Sequence, residues 1–152
     1  RLRGLESLQV KIKRRHPDIA LMRSIPIAVP NEAYLVKTME FAKRFAEVSD
    51  YFLTDTLLLG DDQPVNGFVG ITGKVCDWEM AKRLVEDGGV PVILAGGIGP
   101  ENAADAVTAV RPHGVDSCTL TNAVDENGKY IRFKKDSAKV ESLVRAIRNI
   151  SS

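Results

Sequence analysis

Four short apolar runs, beginning near residues 19, 51, 91 and 115, alternate along the chain with stretches of helical periodicity. This alternation restricts the fold more than any other feature. Strands separated by helices pair in parallel, because each crossover helix carries the chain back to the same end of the sheet. Leu5, Leu8 and Ile12 recur at helical spacing over residues 5–15, and Pro17 ends that helix. A β-rich run from Ile19 to Val29 follows. Asn31 then caps a helix over Glu32–Val48, with Leu35, Met39, Ala42, Phe45 and Ala46 on one side. The second apolar run, Tyr51–Leu59, leads into a long loop, Gly60–Lys74. Asp77 or the residue before it caps a helix from Trp78 to Glu86, which Asp87-Gly88-Gly89 stops.

Val90–Ala95 shows no polar alternation, as expected of a strand buried on both faces. Gly96-Gly97-Ile98-Gly99 follows at once, with Pro100 near the first helical position and the helix continuing through Ala103–Val110. Val115–Leu120 reads as the fourth strand and Thr121–Lys135 as a polar loop. Asp136 or Ser137 caps a last helix whose apolar face carries Val140, Leu143, Val144 and Ile147. The 152 residues suffice for a single domain spanning residues 1–152. Four strand-helix units are half of an eight-unit barrel, which usually takes roughly 250 residues. An open four-stranded sheet is the alternative that periodicity leaves.

Charge excludes several functions. The 21 basic and 20 acidic residues leave a net charge of +1, which gives no field to attract nucleic acid or an anionic membrane. The longest apolar run, Val90 to Ile98, is far too short to span a bilayer, and nothing at the start resembles a signal peptide. Cys76 and Cys118 form no Cys-x-x-Cys, and His16 and His113 lie far apart in sequence, so no zinc site is expected. Two cysteines in a chain of this size fit a reducing compartment, and the chain reads as cytoplasmic. It opens at Arg1 inside a helical pattern, as a fragment or the ordered part of a longer protein would.

Val90–Glu101 carries the clearest chemical signal: a buried strand runs into glycines and then a helix with proline at its start. Glycine lets a phosphate approach the backbone, and a helix N-terminus offers unpaired N–H groups and partial positive charge. The competing reading is a tight strand-to-helix turn with no ligand. Three segments together are similar to phosphoribosylanthranilate isomerases. One is Gly96-Gly97-Ile98-Gly99-Pro100-Glu101-Asn102. The second is Val110-Arg111-Pro112-His113-Gly114-Val115-Asp116. The third, upstream, is Thr72-Gly73-Lys74-Val75-Cys76-Asp77-Trp78, with Gly70 two residues before it.

The resemblance covers roughly residues 19 to 150. It implies a phosphate-binding (β/α)8 TIM barrel of which only about four units, strands five to eight, are present in this chain, as its C-terminal half. A half barrel exposes two sheet edges and the inner face of its strands. The expectation is therefore about four more strands ahead of these, or a homodimer closing the edges.

The resemblance also assigns roles. Asp55, at the end of the second strand here, matches the family's general acid, which opens the ribose ring. The alternative is an aspartate that caps a loop or pairs with Lys74. The family's base, a cysteine near the end of its first strand, has no counterpart in these residues; Cys76 and Cys118 read as packing residues. Gly70, Gly73 and Lys74 are candidates to line the mouth of the site, with Lys74 equally readable as a solvated loop residue. Gly96, Gly97 and Gly99, with the hydroxyls of Thr119 and Thr121, are candidates to hold the phosphate of a small-molecule substrate. No cofactor or metal is implied. Asp77 reads as a cap, Trp78 as outer-layer packing, and Arg23 as pointing into the barrel or pairing with a helix carboxylate.

One segment departs from the family. Its last strand ends in Ser-Ser-Gly-Val-Glu, whereas this chain has Ser117-Cys118-Thr119-Leu120-Thr121-Asn122. Leu120 or Thr121 takes the place of the glycine, where a side chain blocks close approach of a phosphate. Three functions follow as alternatives: the isomerase of tryptophan biosynthesis, an enzyme of the same scaffold with another phosphorylated substrate, or a relative that binds a metabolite or partner without catalysis.

Overall fold

The computed structural model describes residues 2–27, 32–56 and 77–150. In chain order these form α1 (Leu2–Arg15), β1 (Met22–Ile27), α2 (Glu32–Ala46), β2 (Tyr51–Thr56), α3 (Trp78–Asp87), β3 (Val92–Leu94), α4 (Ala103–Val110) and β4 (Gly114–Val115). The four strands make one parallel sheet in the order β1-β2-β3-β4. Met22 to Ile27 pair with Tyr51 to Thr56, Phe52 with Val92, and Ile93 with Gly114.

Side chains alternate across the sheet with period two. Ile25, Ile27, Phe52, Val92 and Leu94 are buried together with Ala42 and Phe45 of α2, Met80 and Leu84 of α3, and Ala106 and Val110 of α4. Each large apolar side chain buried there stabilises the fold by about 1.5–3 kcal/mol. The opposite set, including Ser24, Leu53, Asp55 and Ile93, keeps some exposure, and Met22 is 53% exposed. Arg23 belongs to the helix side. It does not enter the inner face, and among the described residues it pairs with no carboxylate: its guanidinium lies 5.5 Å from the Phe41 ring centroid and 4.7 Å from that of Phe45. Desolvation there holds its pKa below the usual value, and its Nε is buried with no hydrogen-bond partner.

Two helix starts follow from the residues named for them. Asp77 Oδ1 accepts the N–H groups of Glu79 and Met80, at 3.0 and 3.2 Å. Asp136 Oδ1 accepts those of Ala138 and Lys139 at the same distances, opening α5 (Ser137–Arg148). Each satisfies two of the orphan donors of a first turn.

The C-terminal quarter differs from the sequence reading in two ways. The fourth strand is only Gly114–Val115, not Val115–Leu120. After Asp116 N–H reaches Leu94 O, the carbonyls of Ser117 and Cys118 are taken by Lys135 Nζ, and Thr119–Thr121 winds into a 3-10 turn. The supposed polar loop is a hairpin of β5 (Asn122–Val124) and β6 (Tyr130–Lys135). Its turn is set by Asp125, whose Oδ1 accepts from Asn127 and Lys129 N–H, and by Gly128 at φ +76. Asn127-Gly128 was a readable hairpin signal.

Candidate functional site

The C-terminal ends of β2, β3 and β4 come together through side chains. Thr54, fully buried, donates its hydroxyl to Ala95 O at 2.8 Å and accepts Ala95 N–H at 2.7 Å. This fixes the end of β2 against the residue just before Gly96. Asp55, one position on, projects to the opposite face, where Ser24 Oγ donates to its Oδ2 at 3.2 Å. At the third strand end, Ser117 Oγ donates to Ile98 O at 2.6 Å, tying the end of β4 to the glycine turn.

Gly96 and Gly97 both have positive φ, +96 and +68, a conformation that favours glycine. They turn the chain out of β3, and α4 begins after a tight turn from Gly99 to Asn102, closed by Ala103 N–H to Gly99 O at 3.0 Å. Asn102 reaches back across that turn. Its Oδ1 accepts Gly99 N–H at 2.9 Å and its Nδ2 donates to Gly97 O at 2.8 Å.

Not every residue expected at a phosphate meets there. Gly96, Gly97 and Thr119 line one small cleft with Ile98, Asp116, Cys118 and Leu120, of about 30 Å³. Gly99 does not line it. Its amide is engaged by Asn102, and a β-carbon on it would stand 2.7 Å from Leu120 Cβ, so this glycine is required by packing. Nor does Thr121 line it. Its buried hydroxyl contacts the carbonyls of Ser117 and Cys118 at 3.3 and 3.2 Å and accepts Lys135 Nζ at 2.8 Å. Cys118 is half-buried and precedes the 3-10 turn. Gly70, Gly73, Lys74 and Cys76 lie outside the described residues. Asp116 is the one charged residue among the described residues lining the cleft.

A larger hollow adjoins the cleft. It measures about 520 Å³ and runs between the Gly99–Asn102 turn, Leu120, Tyr130 of the hairpin, and Asp136, Lys139 and Ser142 of the last helix and its cap. Lys139 Nζ donates to Asn122 O at 3.0 Å and stands 5.1 Å from the Tyr130 ring centroid. Sequence reading missed this hollow because the hairpin builds one of its walls. It also missed the roles of Thr54, Asn102 and Lys135, whose partners the fold supplies. Among the described residues no group of three or more His, Cys, Asp or Glu side chains could hold a metal ion, and no helix is long and apolar enough to cross a membrane.

The family model for N-(5′-phosphoribosyl)anthranilate (PRA) isomerase matches residues 10–146. The chain is 33% identical over 140 residues to N-(5′-phosphoribosyl)anthranilate isomerase 2 of Methanosarcina mazei, covering 92% of this chain and 54% of that protein. Among solved structures, generated monomers of the dimeric phosphoribosylanthranilate isomerase of Thermotoga maritima superpose with a TM-score of 0.63 at 25% identity, covering 95% of this chain and 56% of that one. A phosphoribosylanthranilate isomerase in complex with reduced 1-(o-carboxyphenylamino)-1-deoxyribulose 5-phosphate superposes with a TM-score of 0.60 at 24% identity, covering 94% and 54%. The chain spans just over half the length of the curated relatives it matches.

Proposed function

The chain belongs to the N-(5′-phosphoribosyl)anthranilate isomerase family, and from that premise we propose that the protein converts N-(5′-phosphoribosyl)anthranilate to the 1-deoxyribulose phosphate by an Amadori rearrangement, with Asp55 as its general acid. The observation that carries this reading is the place of Asp55. It stands at the C-terminal end of a parallel strand, on the face away from the helices, next to the strand that runs into Gly96-Gly97. Strand ends of this kind are where such folds put their chemistry.

Asp55 protonates the ribose ring oxygen as the C1′–O bond breaks and the anthranilate nitrogen supplies electrons. A base then removes the C2′ proton to give an enolamine, which tautomerises to the aminoketose. The base comes from outside the described residues; by family resemblance it is a cysteine near the end of the first barrel strand. The reaction needs one acid and one base, with no metal or organic cofactor. Gly96, Gly97 and Thr119 hold the substrate phosphate.

The four βα units are half of an eight-unit barrel. Apolar side chains left open at both ends of the helix layer support this: Leu5 and Leu8 on α1, and Val140 and Val144 on α5, are more than a third exposed. Further strands, or a second copy of the chain, would cover them. One observation favours the reading of a relative with another substrate or no catalysis: the cleft between Gly97 and Thr119 is small and bears Asp116. Calorimetric titration of the natural-length protein with reduced 1-(o-carboxyphenylamino)-1-deoxyribulose 5-phosphate separates the two. Saturable binding at a single site supports the isomerase, and no heat at millimolar ligand rejects it.

A further inference from the structure

β1 reads Met22-Arg23-Ser24-Ile25-Pro26-Ile27, with its polar side chains on two adjacent positions. Neighbours along a strand point to opposite faces, so the two separate. Arg23 goes to the helix layer and lies over Phe41 and Phe45. That layer takes Ile25 and Ile27 from this strand as its buried core. Ser24 goes to the other face, the one that carries Asp55, and is exposed there.

The parallel register sets their distance. Ser24 lies beside Leu53, and Asp55 lies beside Pro26. Ser24 and Asp55 are therefore diagonal neighbours on one face of two paired strands, and Ser24 Oγ donates to Asp55 Oδ2 at 3.2 Å. The backbone beneath the carboxyl is held from the opposite face, where the Thr54 hydroxyl takes both backbone groups of Ala95. With the strand so anchored, the Ser24 hydroxyl restricts the side-chain rotation that a strand end leaves to an aspartate.

The two oxygens of a carboxylic acid do different work. One carries the proton, and the other takes up negative charge as the proton leaves. With Oδ2 accepting from Ser24, the proton is assigned to Oδ1. As it transfers to the ribose ring oxygen, charge spreads onto Oδ2, and a neutral hydrogen bond becomes a charge-assisted one, roughly twice as strong. A contact that strengthens along the reaction raises kcat without tightening substrate binding.

We propose that Ser24 is a positioning residue for the rearrangement: it holds Asp55 Oδ2, directs Oδ1 at the substrate, and stabilises the carboxylate that proton transfer leaves behind. This deepens the isomerase reading and rests on it, since it takes Asp55 as the general acid.

The test is steady-state turnover of N-(5′-phosphoribosyl)anthranilate by the natural-length protein. Wild type is compared with Ser24→Ala, Ser24→Thr, Asp55→Asn and the double variant of Ser24→Ala with Asp55→Asn, with thermal unfolding to confirm that each is folded. Ser24→Ala should lower kcat about tenfold with KM within about twofold of wild type, as loss of one hydrogen bond to a developing charge implies. Ser24→Thr keeps the hydroxyl and should recover most of the rate. In the Asp55→Asn background, Ser24→Ala should have no further effect, because residues that act as one unit are not additive. Wild-type kcat in Ser24→Ala, a Ser24→Thr as impaired as Ser24→Ala, or a second tenfold loss on top of Asp55→Asn overturns the role of Ser24 and leaves the isomerase reading standing. Undiminished turnover in Asp55→Asn, or none in wild type, overturns that reading and the role of Ser24 with it.

Discussion

The hydroxyl of Thr54 makes two hydrogen bonds to one residue, Ala95, donating to its carbonyl at 2.8 Å and accepting its N–H at 2.7 Å. The pair is fully buried on the Thr54 side, so both backbone groups of Ala95 depend on a single side chain. Thr54→Val keeps the shape and strands that carbonyl and N–H, each costly when unsatisfied. The expected loss is about 2–3 kcal/mol in denaturant unfolding, with Thr54→Ser recovering most of it. A Val variant as stable as wild type would show that the Ala95 groups find other partners.

Gly99 and Leu120 should be coupled. A β-carbon on Gly99 meets Leu120 Cβ at 2.7 Å, so Gly99→Ala is expected to cost about 1–3 kcal/mol by overpacking. Adding Leu120→Gly, which removes that Cβ, should return part of that, with a favourable coupling of about 1 kcal/mol in a double-mutant cycle. Strict additivity would mean that the two turns separate freely.

Asp50 sets a pH dependence at the opposite end of the sheet. Its side chain is paired with Lys13 and accepts Leu21 N–H at 2.6 Å, and these hold its pKa below the usual carboxylate value. A depressed folded pKa contributes stability above the unfolded pKa of about 3.9, and that contribution disappears as pH falls through the folded value. The stability gap between wild type and Asp50→Asn should therefore be constant above about pH 5 and shrink below about pH 4. Denaturant unfolding across pH 3 to 7 measures it, and a gap that persists unchanged at the acid end would refute the assignment.

Arg23 predicts an order of substitutions. Its guanidinium lies over two rings while Nε has no partner among the described residues. Methionine keeps the contact with Phe41 and Phe45 and removes the desolvated charge, whereas lysine keeps the charge and loses the plane. Arg23→Lys should be about 1 kcal/mol less stable than Arg23→Met. The reverse order would point to an ion pair in place of ring stacking.

The parallel sheet and its helices were readable because they rest on local periodicity and caps. Asp77 and Asp136 accept the first-turn amides that their positions implied, and the Val90–Ala95 run contains β3. The phosphate residues divided on non-local facts. Which glycine amides are available depends on Asn102, and whether Thr121 faces a ligand depends on Lys135, delivered fourteen positions later by a hairpin. That hairpin was legible at Asn127-Gly128, but the charged strand Tyr130–Lys135 carries little apolar alternation. The Thr54–Ala95 pair spans 41 positions and leaves no local signal.

Turnover decides the central claim most directly. The natural-length protein is assayed with N-(5′-phosphoribosyl)anthranilate, as wild type and as Asp55→Asn. The account predicts measurable turnover in wild type and a fall in kcat of about 10²- to 10⁴-fold in the variant, with KM little changed, because general-acid catalysis is lost while the phosphate contacts remain. Wild-type turnover that survives Asp55→Asn, or no turnover in wild type at all, would contradict it.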